Sequence, residues 1–483
     1  MITDLFAEQI AQEFRYSFTE DQRVAVESLA RFILSPQSRS VFILTGYAGT
    51  GKTTLVSALV RVMKKLERDI VLLAPTGRAA KVFSAYAHTS AHTVHRTIYR
   101  QHAFEGEQTR FSLGFNKRKM TLFVVDEASM LANEQNPDTL FGTGRLLDDL
   151  LQYVYSGSGC KLLLMGDLAQ LPPVGEPESP ALCATTYEQM GFQVFSANLS
   201  QVVRQDADSD VLENATYLRT LLSSPTTSLP GVRIRPDGDV CSIRGGEFVE
   251  ELENCYSEAG EDQTIVVTLS NKRAMQYNIG IRQRIFDRED TLARGDRIMV
   301  VKNNYYWTEK LRKALPDSEQ PPFDFIANGD SAEVVSVSNV HVEHGFRFAD
   351  VELRFTDYDD YEIGCRVLLD TLTSESPALT AEQSERLYQQ VYADYSFLHS
   401  KKKINEQVRQ DPYYNALQIK FAYTVTCHKA QGGQWERVFI DQGYLPPNMD
   451  QSAYIRWLYT AFTRTTDRLY LVNWPNNQTE KSD

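Results

Sequence analysis

The chain has 483 residues, a formal net charge of −13, and 42% hydrophobic and 23% charged residues. This is ordinary globular composition with room for about three to four domains, and no run reaches the ~18 apolar residues of a membrane span. The acidic balance argues against a general nucleic-acid-coating protein, yet leaves room for one that grips a strand in a local groove. Six scattered cysteines lack metal-finger spacing and the N-terminus, with acids among its apolar residues, is no signal peptide, so reduced thiols in a cytoplasmic protein are expected.

Val41-Phe42-Ile43-Leu44 reads as a buried strand. It runs into Gly46-Tyr47-Ala48-Gly49-Thr50-Gly51-Lys52-Thr53, a match to G-x-x-x-x-G-K-[ST], and Thr54 opens an apolar helical stretch. In that context backbone N–H groups close around phosphate oxygens, and the helix dipole favours their charge. Lys52 is placed to reach the β- and γ-phosphates and the Thr53 hydroxyl to hold Mg²⁺, so ATP and Mg²⁺ are the expected cofactors. Runs at 70–76, 121–127 and 161–167 are continuously apolar and end in polar residues, as parallel strands buried on both faces do. The second delivers Asp126, expected on Mg²⁺ with Thr53, and Glu127, expected to polarise the attacking water. The third delivers Gly166-Asp167-Leu168-Ala169-Gln170, with Gln170 toward the γ-phosphate or its water. Residues 97–120, polar and aromatic, read as a hairpin inserted in this first core. His88, His92 and His95 have the i, i+4, i+7 spacing of a zinc site on a helix, but no cysteine or acid lies near to complete it.

The parallel pattern returns at 264–270, 421–432, 437–441 and 468–474, implying a second α/β core. From about 295 to 370 the chain alternates at period two, as a small antiparallel barrel does. Residues 380–410 read as polar helices ending in Lys401-Lys402-Lys403, and the whole as an insertion in the second core. Tyr305-Tyr306-Trp307 reads as barrel core or as a base-stacking surface, and the lysine run as a solvated face or a phosphate contact. Arg204 and Arg464 are candidates to neutralise phosphoryl charge from a facing domain, beside the plainer reading of surface ion pairs.

Taken in order, these blocks resemble superfamily 1 helicases of the RecD-like branch (superfamily 1B), the group that includes Dda-like members. Phe18-Thr19-Glu20-Asp21-Gln22 resembles the adenine-reading Q motif, GYAGTGKT and VVDEAS the two nucleotide motifs, and Ala74–Lys81 and Thr93–Arg96 the first strand-contacting motifs. GDLAQLPPVG, Val202–Gln205, Thr424–Gly432 and Tyr459–Arg464 resemble the third to sixth motifs. The resemblance implies an α/β fold of two RecA-like P-loop domains. The first, 1–197, carries a β-hairpin pin at about 97–120. The second, 198–294 with 412–475, carries an inserted SH3-like barrel and helical arm at 295–411, and 476–483 form a disordered tail. It further implies an ATP-dependent DNA helicase moving 5′ to 3′ on single-stranded DNA and at junctions with duplex. A monomer is expected, with replication or repair proteins as partners. By the same resemblance Gln22 reads adenine, Gln431 joins Lys52, Gln170, Arg204 and Arg464 at the γ-phosphate side, and Pro75, Thr76, Arg78, His95, Thr426 and His428 face DNA. Gly432-Gly433-Gln434-Trp435-Glu436 departs from the family's spacing after the fifth motif. A motor or regulatory subunit of a nuclease or repair complex that does not unwind alone stays open as an alternative. So does an RNA motor, because phosphate contacts do not read the sugar.

Overall fold

The computed structural model describes residues 2–101, 111–135, 141–202, 209–223, 229–316, 319–323, 325–446 and 449–481. Two N-terminal helices, α1 (Ile2–Glu13) and α2 (Glu20–Leu34), precede the first sheet; α2 opens on a capping box in which Thr19 and Gln22 satisfy each other's backbone N–H. There follow β1 (Ser40–Gly46), α3 (Lys52–Lys65), β2 (Ile70–Ala74), α4 (Gly77–Ala87), β3 (Ala91–Thr93) and α5 (Val94–Ile98). A hairpin of β4 (Tyr99–Gln101) and β5 (Phe111–Leu113) rises next, then β6 (Leu122–Val125), α6 (Leu146–Ser156), β7 (Lys161–Gly166), α7 (Ala184–Gln189) and β8 (Gln193–Leu199).

The six core strands pair in parallel in the order β3-β2-β6-β7-β1-β8. Successive side chains alternate faces, so Phe42, Leu44, Leu163 and Met165 pack under α1, α2 and α3, while Val41, Ile43, Leu162 and Leu164 pack under α5 and α6. Burial on both faces is why the four inner strands β2, β6, β7 and β1 read as apolar runs.

The second half continues with α8 (Asp210–Ser223), β9 (Val232–Ile234), β10 (Val240–Ile243), α9 (Phe248–Ala259), β11 (Thr264–Thr268) and α10 (Asn271–Arg284). The inserted part holds β12 (Arg297–Val300), α11 (Tyr306–Ala314), β13 (Ser331–Glu343), β14 (Phe346–Phe355), β15 (Tyr361–Leu368), α12 (Ala381–Asp394), α13 (Lys401–Arg409) and β16 (Leu417–Phe421). The chain returns through β17 (Thr424–Thr426), α14 (Cys427–Ala430), β18 (Trp435–Asp441), α15 (Gln451–Phe462), β19 (Thr465–Val472) and β20 (Thr479–Lys481). The second sheet is also parallel, in the order β10-β19-β18-β11-β17.

β12 to β16 close a five-stranded barrel. Its last strand lies beyond residue 411, in the stretch assigned above to the second core. Closure requires it: β16 pairs antiparallel with β12 and parallel with β15, burying Leu417 and Ile419 in the barrel core. The arm of α12 and α13 is not a free polar projection. Leu387, Val391, Ile404 and Val408 pack on Phe346, Phe348 and Leu368 of the barrel.

One expectation changes in the structure. The segment from 476 is ordered up to residue 481, because Trp474 donates to the Gln478 carbonyl, Tyr454 donates to the buried Gln478 side chain, and β20 pairs with β9. Polar composition hid an anchor made of hydrogen bonds. Trp307 is buried with its indole N–H on the Asn415 carbonyl (2.9 Å), and Tyr305 packs on Phe141 and Phe325, so this segment is core and not a base-stacking surface. His88, His92 and His95 fall on a helix end, a strand and a separate helix; no metal-binding cluster exists among the described residues. Lys401, Lys402 and Lys403 are exposed on the first turn of α13.

Candidate functional site

The turn from β1 to α3 carries the phosphate-loop residues. Gly46 and Thr50 are buried, while Tyr47, Ala48, Gly49, Gly51, Lys52, Thr53 and Thr54 are half-buried around the N-terminus of α3. Gly51 has φ 82°, and a Cβ there would sit 2.8 Å from Gln22 Nε2, so both its backbone angle and its neighbour demand glycine. Gln22, 1% exposed, donates from that nitrogen to the Thr50 carbonyl at 3.0 Å, which fastens the capped start of α2 to the loop. Lys52 Nζ lies back on the Gly46 and Tyr47 carbonyls at 2.5 and 2.8 Å.

β6 ends beside this loop in Asp126 and Glu127. Glu127 takes a left-handed backbone (φ 51°) and its N–H donates to Asp126 Oδ1 at 2.8 Å. Burial, then the neighbouring Glu127 charge, push the Asp126 carboxyl up to about 7, against the pull of Lys52. β7 ends in the loop 167–171. Gln170 is 6% exposed and its Oε1 is buried with no hydrogen-bond partner among the described residues.

The second half of the chain reaches this loop with four side chains. Tyr459 donates to Asp167 Oδ2 (2.6 Å) and accepts from Ala48 N–H (3.1 Å), so one buried hydroxyl joins the 167–171 loop to the phosphate loop. Thr460 Oγ1 accepts from Leu171 N–H (2.9 Å), Gln431 Nε2 donates to the Leu171 carbonyl (2.8 Å), and Arg456 donates to the Leu168 carbonyl. Arg219 on α8 stacks on the Tyr47 ring at 4.1 Å. Arg464 is 3% exposed and folded onto its own half, donating to the Thr460 and Gly433 carbonyls and Thr463 Oγ1 at 3.0 to 3.2 Å. Arg204 lies outside the described residues. The roles of Tyr459, Thr460 and Arg456 were not read from the sequence. Their signal was present: positions 456, 459 and 460 share one face of α15 and lead toward the arginine already singled out.

The residues expected to face DNA divide. Pro75 joins β2 to α4, Thr76 caps α4 by accepting from Ala79 N–H (3.2 Å), and Arg78 stacks on Trp435 at 4.0 Å while donating to the Gln434 carbonyl. A cavity of about 240 Å³ has Thr76, Arg78, His428, Gln431 and Trp435 on its wall, so the α4 start and the α14 turn meet there. Thr426 stands at the N-cap of α14 without a capping bond from its side chain. The run Gly432-Gly433 abuts α4: a Cβ on Gly432 would meet Ala79 Cβ at 2.9 Å, and one on Gly433 the Trp435 ring at 2.4 Å. His95 lines neither this cavity nor the cleft described next. It packs edge-on to Phe141 (4.9 Å), and burial pulls its imidazole down to about 4, leaving it neutral near pH 7. A cleft of about 420 Å³ runs between α4 and the barrel, with Lys81, His92, Arg96 and Tyr358 on its wall.

Comparison with known proteins agrees with this geometry. Residues 17–220 match the model of an AAA domain and residues 421–472 that of the UvrD-like helicase C-terminal domain, together just over half of the chain. Relatives include an uncharacterized mimivirus protein, R530 of Acanthamoeba polyphaga mimivirus, 22% identical over 94% of this chain and 99% of its own length. The ATP-dependent RecD2 DNA helicase of Deinococcus radiodurans is 28% identical over 43% of this chain and 24% of its own. The ATP-dependent DNA helicase dda of phage T4 is 23% identical over 61% and 63%. The chain thus spans less than two thirds of either named helicase. A nucleotide-binding loop on one parallel sheet, answered by the helicase C-terminal match on the other, defines a superfamily 1B helicase, a class of ATP-hydrolysing DNA motors. Within that class the chain is similar to RecD2 and dda. No helix among the described residues is long and apolar enough to cross a membrane.

Proposed function

We propose that this protein is an ATP-dependent DNA helicase that translocates 5′ to 3′ on single-stranded DNA and opens duplex, driven by closure of the cleft between two RecA-like halves. The observation that carries the reading is the clamp on the 167–171 loop: Gln431, Arg456, Tyr459 and Thr460 of the second half hold the segment that presents Gln170. A shift between halves would therefore act directly on the loop that presents Gln170.

The residues fit magnesium-bound ATP. Gln170 Oε1 is a buried acceptor without a partner among the described residues, and Asp126 is a carboxyl held high by burial that a cation would return to its charged form. Magnesium, when bound, would neutralise charge on the β- and γ-phosphates. Thr53 and Asp126 would hold it. Gln22 would read adenine, and the Gly46–Thr54 backbone would donate to phosphate oxygens with Lys52 released from its two carbonyls. Glu127 would orient the attacking water with Gln170, while Arg464, and Arg204 from the other side, would meet the charge that develops on the transferred group. Thr76, Arg78 and His428, around one cavity, with Pro75 and Thr426 beside it, would guide the strand, whereas His95, packed on Phe141, would not reach it from this position. The hairpin at 97–120 would act as the separating pin.

Unwinding of duplexes bearing a 5′ or a 3′ single-stranded tail, with ATP and Mg²⁺, tests this. Release from the 5′-tailed substrate alone is expected. No release from either, despite DNA-stimulated hydrolysis, would replace the helicase by a translocase or a partner-dependent subunit.

A further inference from the structure

The base of the β4–β5 hairpin carries cations that neither site above uses. The Gly114 N–H donates to the Ile98 carbonyl (2.7 Å), after which the chain turns through 115–120 into β6. Asn116, 2% exposed, fixes that turn: its Nδ2 donates to the Val154 carbonyl (3.1 Å) and its Oδ1 accepts from Arg118 N–H (3.0 Å). The Met120 N–H donates to the Ser158 carbonyl (2.8 Å), and a Cβ on Gly157 would lie 2.5 Å from Asn116 Nδ2. A buried amide and tight backbone contacts thus hold a rigid turn, and on it Lys117, Arg118 and Lys119 are all exposed beside Phe115, which is 77% exposed.

Arg96 and Arg100 stand next to the turn: a Cβ on Gly114 would meet Arg100 Cγ at 3.1 Å. Burial, then the charges of Arg96 and Arg118, hold the His92 imidazole below its usual value. None of the five cations forms an ion pair with an acid among the described residues. His92 and Arg96 also line the cleft beside α4, whose wall carries Lys81 paired with Asp357 and, beside them, Asp359, so the turn adjoins a cleft of mixed charge. In a chain of net charge −13, five cations with no ion-pairing acid among the described residues, held on one small surface, form a local field of opposite sign, suited to a polyanion. Among the described exposed side chains of the turn, one aromatic stands with five cations, which fits phosphate rows better than unstacked bases, since single-strand grooves interleave charge with several stacking rings.

We propose that Lys117, Arg118 and Lys119, with Arg96 and Arg100, bind the phosphate backbone of the duplex ahead of the hairpin, with Phe115 against its sugar edge. This rests on the helicase reading above. The test is Lys117→Ala/Arg118→Ala/Lys119→Ala, which leaves Asn116 in place, compared with wild type in two assays: hydrolysis stimulated by a single-stranded oligonucleotide, and binding to a 5′-tailed duplex across a salt series. Each duplex phosphate contact contributes about 0.9 to the slope of log affinity against log salt. The variant should keep its strand-stimulated hydrolysis, bind the tailed duplex roughly tenfold more weakly, and lose about 2–3 from the salt slope. Unchanged duplex affinity and slope with intact hydrolysis would overturn the proposal while leaving the helicase reading standing. Hydrolysis unresponsive to DNA in both proteins would instead remove the helicase reading. A loss seen only on forks carrying a displaced arm would assign the surface to that single strand and overturn the duplex assignment. Should the triple variant fail to fold, Lys119→Glu alone, at an exposed side chain, is read in the same way.

Discussion

In the first parallel sheet β1 ends in a glycine loop and β6 in an acid pair, whereas beside the second sheet α14 ends in Gln431 and the last turns of α15 carry Tyr459 and Thr460 and lead to Arg464, with no second phosphate loop among the described residues. Both sheets are parallel, buried on both faces and covered by helices. Their strand ends do different work. The first supplies a concave surface of backbone N–H groups, which suits a phosphate chain. The second supplies long polar side chains that reach across to the 167–171 loop. On the function proposed above, two similar scaffolds divide one nucleotide site, with binding groups on one and groups that respond to the relative position of the two on the other.

That division can be broken from either side. Lys52→Ala, on the binding sheet, should cost two to three orders of magnitude in DNA-stimulated hydrolysis, measured as phosphate release; unchanged turnover would move the nucleotide elsewhere. Tyr459→Phe sharpens the comparison, because it keeps the ring and deletes the one hydroxyl that joins Asp167 to Ala48 N–H. Leaving those two groups unpaired should lower kcat about tenfold, with nucleotide affinity held nearly constant in a fluorescent-nucleotide titration. A large loss of affinity with kcat unchanged would place Tyr459 with the binding sheet instead.

The smallest expected effect concerns the barrel's contact with α4. Asp330 is buried, accepts from Ala327 N–H (2.7 Å) and Tyr358 OH (3.1 Å), and lies against Gly77. Burial pushes its carboxyl up to about 7. A raised folded value means the native state keeps a proton that the unfolded chain releases near pH 4, so this group's contribution to stability falls as pH rises from about 4 to 7 and is flat above. The slope is at most about 1.4 kcal/mol per pH unit. Asp330→Asn should remove that slope in melting temperatures taken at pH 5 and pH 7.5, and equal slopes in both proteins would contradict the assignment.

The sheets and the phosphate loop were legible in the sequence because each rests on local order. Val41–Leu44 is apolar without a break, and the glycine spacing after it admits few other uses. The barrel's period-two alternation was legible too, but its closing strand was not. Leu417–Phe421 follows the helical arm and is long-range in its pairing, so no neighbouring pattern marks it as barrel. The clamp on 167–171 was hidden for a similar reason, since it joins residues almost 300 positions apart, such as Tyr459 with Asp167. Sequence order displays what each strand end carries, and only the folded chain displays which loop a side chain from the other sheet will hold.

The most direct measurement of the divided site is Arg464→Ala, with nucleotide binding and single-turnover hydrolysis determined on the same protein. Arg464 sits one helical turn beyond Thr460, anchored to the second half by three hydrogen bonds. The account predicts nucleotide affinity close to wild type and hydrolysis lower by about two to three orders of magnitude. Normal single-turnover hydrolysis in this variant would contradict a site completed from the second sheet.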